Sequence, residues 1–310
     1  MKRPSPVLSA LVAGGLLLAS LLAGCDGRAS ATPTPTGGAP AFTVVASFYP
    51  VYIAALQLTK DVPGVDVVLL APPSTGCLHD YSLTSGDMVK LSGADVLFVN
   101  GDGMENFLTG VATDFPKLRV IEASRGIATV TGPDGAPDPH VWATPKGAAA
   151  QLANLAAGLA LADPAHATLY ASNESRYGAL LAALDRKAEA LLAPFRGAKM
   201  LAGHSSFLYF ARDYGIGVLG IFGLDDGQAV GTGTLARMID DAKAQKASLI
   251  VTDPQFPAIA GETVARETGL PLCIFDSVAG GTLTGPAARD EYLTRMDANL
   301  ERLAQALEAT

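Results

Sequence analysis

The sequence predicts an α/β fold of two lobes, each a mostly parallel sheet flanked by helices, joined by one long rigid helix. Three observations carry this expectation. Short, continuous apolar runs alternate with helical stretches through both halves of the chain, the pattern of parallel strands covered on both faces. Between Asp163 and Leu192 only Pro164, in the first turn, and Gly178 interrupt a helical pattern of about thirty residues, roughly 45 Å long and placed at the middle of the chain. The 310 residues, 49% hydrophobic and 17% charged, suffice for two separate cores and exclude a disordered chain.

The first strand is read at Phe42–Ser47, where β-branched and apolar residues cluster, and is followed by a helix over Val51–Lys60. Gly64–Leu70 is a second strand, opening into the loop Pro72–Tyr81. A helix at Asp87–Leu91, a strand at Asp95–Asn100, a short helix at Glu105–Val111 and a strand at Leu118–Ile121 complete the first half. The loop Ile127–Pro139 leads to a helix over Pro145–Ala160. Asp163 then caps the long helix, with Pro164 in its first turn. The second half repeats the alternation. Strands fall at Lys199–Ala202, Ile216–Ile221, Leu249–Thr252 and Leu272–Phe275, and helices at Phe207–Tyr214, Thr234–Lys246, Ile259–Thr268 and Arg289–Leu307.

The first residues are a leader and not part of the fold. Lys2 and Arg3 precede an apolar run from Val7 to Ala23, the layout of a secretory signal peptide over 1–24. The tetrad Leu22-Ala23-Gly24-Cys25 resembles a bacterial lipobox, which makes Cys25 the lipidated first residue of the mature chain. Residues 25–40 are small, polar and Pro-rich and read as a flexible tether. The remaining divisions are a first lobe over 41–162, the linking helix over 163–193 and a second lobe over 194–310. An extracytoplasmic protein, lipid-anchored on the periplasmic side of the cell membrane, is expected. The net charge of −8 argues against nucleic acid as a partner.

Only four histidines are present, so each can be weighed. His79 follows the second strand, His204 follows the strand Lys199–Ala202, and His140 lies in Asp138-Pro139-His140-Val141-Trp142, between a Pro-rich loop and a capped helix. Asp253 and Asp276 also stand just past strand ends, the edge of an open α/β sheet where ligands bind. His166 lies in the first turn of a polar helix and reads as solvated. Three neutral imidazoles and one carboxylate, His79, His140, His204 and Asp276, would fill a four-coordinate Zn²⁺ shell drawn from both halves. A filled shell has no place for a catalytic water, so an enzyme is not expected.

Read together, these residues resemble a known family: the zinc- and manganese-binding lipoproteins that serve bacterial metal ABC importers, in their zinc-type form. The resemblance rests on Ser47-Phe48-Tyr49-Pro50, His79-Asp80-Tyr81, Asn100-Gly101-Asp102-Gly103-Met104-Glu105 and Asp138-Pro139-His140-Val141-Trp142. In the second half it rests on His204-Ser205-Ser206-Phe207, Asp253-Pro254-Gln255-Phe256 and Phe275-Asp276-Ser277. It implies metal held between two lobes by His79, His140, His204 and Asp276, with delivery to a permease and its ATPase and with the binding protein monomeric. The His at position 204 favours Zn²⁺, with Mn²⁺ possible. Asp253, Tyr81 and Trp142 are candidates for a supporting shell, each with an equally plain reading as a turn or core residue.

Two departures from the family pattern stand out. The loop before His140 lacks the His-rich stretch common among zinc members. Cys77 lies two residues before His79 and Cys273 three before Asp276, so a disulfide across the cleft mouth is one expectation and Cys77 as a thiolate ligand replacing Asp276 is another. Rival functions are a zinc hydrolase or lyase on the same His set, a binder of chelated metal, and an adhesin or metal store.

Overall fold

The computed structural model describes residues 42–223 and 230–310. The leader, Cys25 and the tether therefore lie outside the described residues. The first half contains strands β1 (Phe42–Ala46), β2 (Val65–Leu69), β3 (Val96–Val99) and β4 (Arg119–Glu122), with helices α1 (Tyr49–Leu58), α2 (Ser85–Ser92) and α3 (Leu108–Asp114) between them. Two helices follow, α4 (Pro145–Ala162) and α5 (Ala167–Leu192). The second half holds β5 (Lys199–Ala202), α6 (Phe207–Tyr214), β6 (Gly217–Ile221), α7 (Thr232–Ala244), β7 (Leu249–Thr252), α8 (Ile259–Thr268), β8 (Leu272–Ile274) and α9 (Glu291–Glu308).

The two sheets have the same design. Their strand orders are β2-β1-β3-β4 and β6-β5-β7-β8, and every neighbouring pair is parallel. In each, the chain turns back at the strand pair β1/β3 or β5/β7, so the loops leaving those strands part and open a crevice at the carboxyl edge. Ser47 and Asn100 leave the first pair, and Gly203-His204 and Asp253 leave the second. Gly203 relieves crowding: a Cβ there would stand 3.3 Å from the Thr252 Cα and from the Val251 carbonyl oxygen. Without a Cβ the backbone leading to His204 runs close beside β7, and Gly203 N donates to the Val251 carbonyl at 2.7 Å.

Alternation along the strands sets the packing. Val44 and Phe98 of the first sheet and Met200 and Val251 of the second face one continuous core, which also takes in α1, α4, α5 and α9. Val45, Leu97 and Val99 point the other way, against Leu91 and Val111. Leu201 and Ile250 do the same against Ala242 and Val264. The linking helix α5 buries Tyr170, Tyr177, Leu181, Leu184, Ala188 and Leu192, a helical stripe that joins the shared core. Among the described residues no helix is long and apolar enough to cross a membrane.

Two elements differ from expectation. The long helix is α5 with 26 residues, preceded by a separate 3₁₀ turn at Pro164–His166. Asp163 holds the N-cap position of that turn and not of α5, without a side-chain cap bond; its carboxylate accepts from the Tyr170 hydroxyl and contacts His166 Nδ1, both at 2.6 Å. Helix α3 starts at Leu108 instead of Glu105, and the Glu105 carboxylate is engaged by the loop before it. Buried, it accepts from Ser47 Oγ at 2.8 Å and from the backbone N–H groups of Asn100 and Gly101 at 2.7 and 3.1 Å. Glu105 therefore locks the loop that leaves β3 instead of opening a helix.

Candidate metal centre

The segment from Asp138 to Thr144 is held by hydrogen bonds from both halves. Asp138 Oδ1 accepts the backbone N–H of His140 at 3.0 Å, an Asx turn across Pro139. A 3₁₀ turn at Val141–Ala143 follows, and then Thr144 caps α4, accepting from Gly147 N at 3.1 Å. Pro145 fits the first helical position. Both halves grip this segment. Asn100 Nδ2 donates to the Pro139 carbonyl at 2.8 Å from the first. From the second, Tyr209 donates to the Asp138 carbonyl at 2.6 Å, Tyr292 to the Trp142 carbonyl at 2.7 Å, and Trp142 Nε1 reaches the Ser277 carbonyl at 3.0 Å.

His140 is fully buried at the centre of this grip. Asp138 Oδ1 also stands 3.0 Å from His140 Nδ1, which places the ring proton on Nδ1 and leaves the Nε2 lone pair facing away from the carboxylate. Burial pushes the Asp138 carboxyl up, but the charge and hydrogen bonds of His140, with a bond from Ser205, outweigh it and hold the group below the usual carboxylate range. The rings of His79 and His204 lie 5.4 and 4.6 Å from that of His140, centre to centre, and the Trp142 ring packs at 5.2 Å on the same imidazole. His140 thus stands between two histidines from separate loops, His79 of the first half and His204 of the second. Among the described residues, the ligand atoms of Cys77, His79 and His140 lie within 4.8 Å of one another. Cys77 Sγ is 3.4 Å from His140 Nε2.

His204 reaches the cluster with a different hydrogen-bond pattern. The Ser206 backbone N–H donates to its Nδ1 at 3.2 Å, and Phe256 stacks on the ring at 4.6 Å. While that bond is made, the neutral ring carries its proton on Nε2. Coordination through either nitrogen breaks the bond, since a metal on Nε2 requires the proton on Nδ1 and a metal on Nδ1 takes its lone pair.

Asp276 does not stand in this cluster. Its Oδ2 takes Arg295 Nε at 2.8 Å and Nη2 at 2.5 Å, and its Oδ1 accepts the Val278 backbone N–H at 2.9 Å. Arg295 is held in turn by the Gly280 carbonyl at 2.6 Å. The expected disulfide is also not formed. Cys273 is a free thiol in β8, buried in the core, where burial pushes its pKa up to about 11 against a lowering by Arg302.

The supporting residues divide in the same way. Trp142 packs its ring against His140. Tyr81 donates to Asp87 at 2.7 Å and sets its ring edge against Phe107, so it anchors the first turn of α2. Burial raises the pKa of Asp253, Ser277 and Gln255 bonds and the nearby His204 lower it, and Asp276 raises it again; the net direction is up. Its carboxylate accepts the backbone N–H groups of Gln255 and Ser277, each at 3.0 Å, and so fixes the two strand-end loops beside His204 to each other.

Two residues escaped the sequence reading. Asp138 was visible only as part of a motif, although Asp-x-His is the signature of an Asx turn that can also reach the imidazole. Arg295 had no local signal, because its partner lies 19 residues away on a different element. A cavity of about 290 Å³ opens beside His79, lined by Asp102, Asp134 and Asp138 and by Ser205 and Ile221 from the second half. Carboxylates there favour a cation approaching the histidines.

Known proteins share this architecture. The FpvC substrate-binding protein of Pseudomonas aeruginosa, solved with Mn²⁺, superposes with a TM-score of 0.77 at 24% identity over 86% of this chain and 99% of its own. A crystal structure of ZnuA superposes at 0.74, with 24% identity over 86% of this chain and 99% of its own. In sequence, the high-affinity zinc uptake system protein ZnuA of Bacillus subtilis is 25% identical over 93% of this chain and 94% of its own length. The zinc-binding lipoprotein AdcA of Streptococcus pneumoniae is 23% identical over 98% of this chain, which spans 61% of that longer protein. The family model described as ZnuA, zinc-uptake complex component A, periplasmic, matches residues 44–306, and the chain belongs to that family.

Proposed function

We propose that this protein captures Zn²⁺ outside the cytoplasm and hands it to an ABC-type importer in the membrane, doing no bond-making chemistry of its own. One observation carries the reading: two imidazoles, His79 from the first half and His204 from the second, converge on His140, whose ring is already oriented by Asp138. Family membership and the zinc-uptake relatives support the same cargo. His79, His140 and His204 are the imidazole ligands in this reading. Asp276, the carboxylate implied by the family resemblance, would have to leave Arg295 to join them. A site rich in imidazole favours zinc over manganese on ligand softness.

The finer parts of the proposal are the division into lobes over 41–162 and 194–310 about the helix 163–193, the action of a permease and its ATPase as partners, a monomeric binding protein, and a lipid on Cys25. The lipoprotein relatives support that anchor. Titration of the metal-free protein with Zn²⁺ by calorimetry tests the core of the reading. Tight 1:1 binding that is lost in His140→Ala and kept in His166→Ala is expected. Absence of Zn²⁺ binding by the unaltered protein overturns it. Affinity should also fall as pH drops through the ordinary imidazole range, because bound imidazole must be neutral.

A further inference from the structure

We infer that Cys77 is a zinc ligand and that its sulfur, not the carboxylate of Asp276, takes the fourth position. The inference rests on the zinc-capture reading above but concerns a residue outside the family's expected ligand set. Cys77 Sγ belongs to the group of ligand atoms lying within 4.8 Å of one another, together with those of His79 and His140. It stands 3.4 Å from His140 Nε2, the nitrogen that Asp138 leaves unprotonated. A metal placed to take that lone pair therefore meets the sulfur as well. The competing carboxylate is committed: both oxygens of Asp276 are hydrogen-bonded, one of them twice to Arg295. Moving it to the metal would break an ion pair and leave a guanidinium to be satisfied again.

Local backbone supports the placement. Gly76 adopts φ +75 at the end of the 3₁₀ turn Pro73–Thr75, and a Cβ there would come within 2.7 Å of Gln255 Oε1 from the second half. That loop is also held by the second half, since Gly281 N donates to the Pro73 carbonyl at 2.7 Å. Cys77 therefore sits on a segment gripped across the cleft. As the zinc–sulfur bond forms, the thiol proton leaves to solvent, so the charge of the site falls by one. A thiolate with three imidazoles is a complete tetrahedral shell for Zn²⁺ and a poor one for Mn²⁺.

The test is spectroscopic, on the full chain. Loaded with Co²⁺, the unaltered protein should show a sulfur-to-cobalt charge-transfer band in the near ultraviolet. Cys77→Ser should lose the band and bind Zn²⁺ at least tenfold more weakly, whereas Cys273→Ser keeps the band. Because Cys77→Ser could fold poorly, ¹¹³Cd NMR of the unaltered protein provides a second reading, with a resonance in the thiolate-ligated range expected. A protein that binds Zn²⁺ tightly but shows neither the band nor that resonance overturns the inference and leaves zinc capture standing. A protein that binds no Zn²⁺ overturns both.

Discussion

Asp138 and His140 form a two-point lock: one carboxylate oxygen lies 3.0 Å from both the backbone nitrogen and the Nδ1 of the same histidine. The backbone bond sets where the ring stands and the side-chain bond sets which nitrogen is presented. Carboxylate–imidazole–metal chains of this kind raise the basicity of the ligand nitrogen and fix its tautomer.

Asp138→Ala should therefore lower zinc affinity by about 10- to 100-fold. The Tyr209, Asn100 and Trp142 bonds still hold the segment, so the fold should persist. Calorimetry alongside circular dichroism checks both halves of this expectation. Unchanged affinity would show that the orientation of His140 does not depend on the carboxylate.

His204 should change tautomer when metal enters by Nε2. In the metal-free protein the Ser206 N–H holds Nδ1 as an acceptor, so the neutral ring is protonated on Nε2. Long-range ¹H–¹⁵N correlation spectra should show this form without metal and the Nδ1–H form with Zn²⁺. The same tautomer in both states would rule out coordination of His204 through Nε2.

Glu105 should make stability depend on pH in the sense opposite to an ordinary ion-paired carboxylate. Burial drives its pKa from 4.5 up to about 7, although bonds from Asn100, Ser47 and Gly101 pull it down. A group raised in the folded state contributes fully below its unfolded pKa and loses that contribution as pH rises through the folded value. Between pH 5 and 8 the unaltered protein should therefore lose unfolding free energy relative to Glu105→Gln, on the order of 3 kcal/mol. Denaturant titrations of both proteins at the two pH values measure it. A pH-independent gap would mean that the buried carboxyl is not the titrating group.

Leu181→Ala in α5 should cost about 2–5 kcal/mol. Leu181 is 1% exposed and lies in the core shared by both sheets. Because that core is continuous, unfolding should remain a single transition at a lower midpoint. Two resolved transitions, only one of them shifted, would show that the halves unfold independently.

Much of the architecture was legible along the chain. Apolar β-branched runs such as Val96–Val99 are long enough to act as buried strands, and their alternation with helices dictates parallel pairing. The histidines could be picked out because each followed a strand or a Pro-bounded turn, positions that topology sends to one edge. What the chain could not disclose was which carboxylate would be occupied. Arg295 and Asp276 meet only because α9 packs beside β8, and Cys77 and His140, 63 residues apart, meet only because the loops after β2 and before α4 fold into one cleft. Local sequence determines element type and turn chemistry through short-range sterics and hydrogen bonds. Which side chains stand beside the histidines was decided by the tertiary structure, because competition among charged and polar groups is settled by distances that exist only once both sheets share a core.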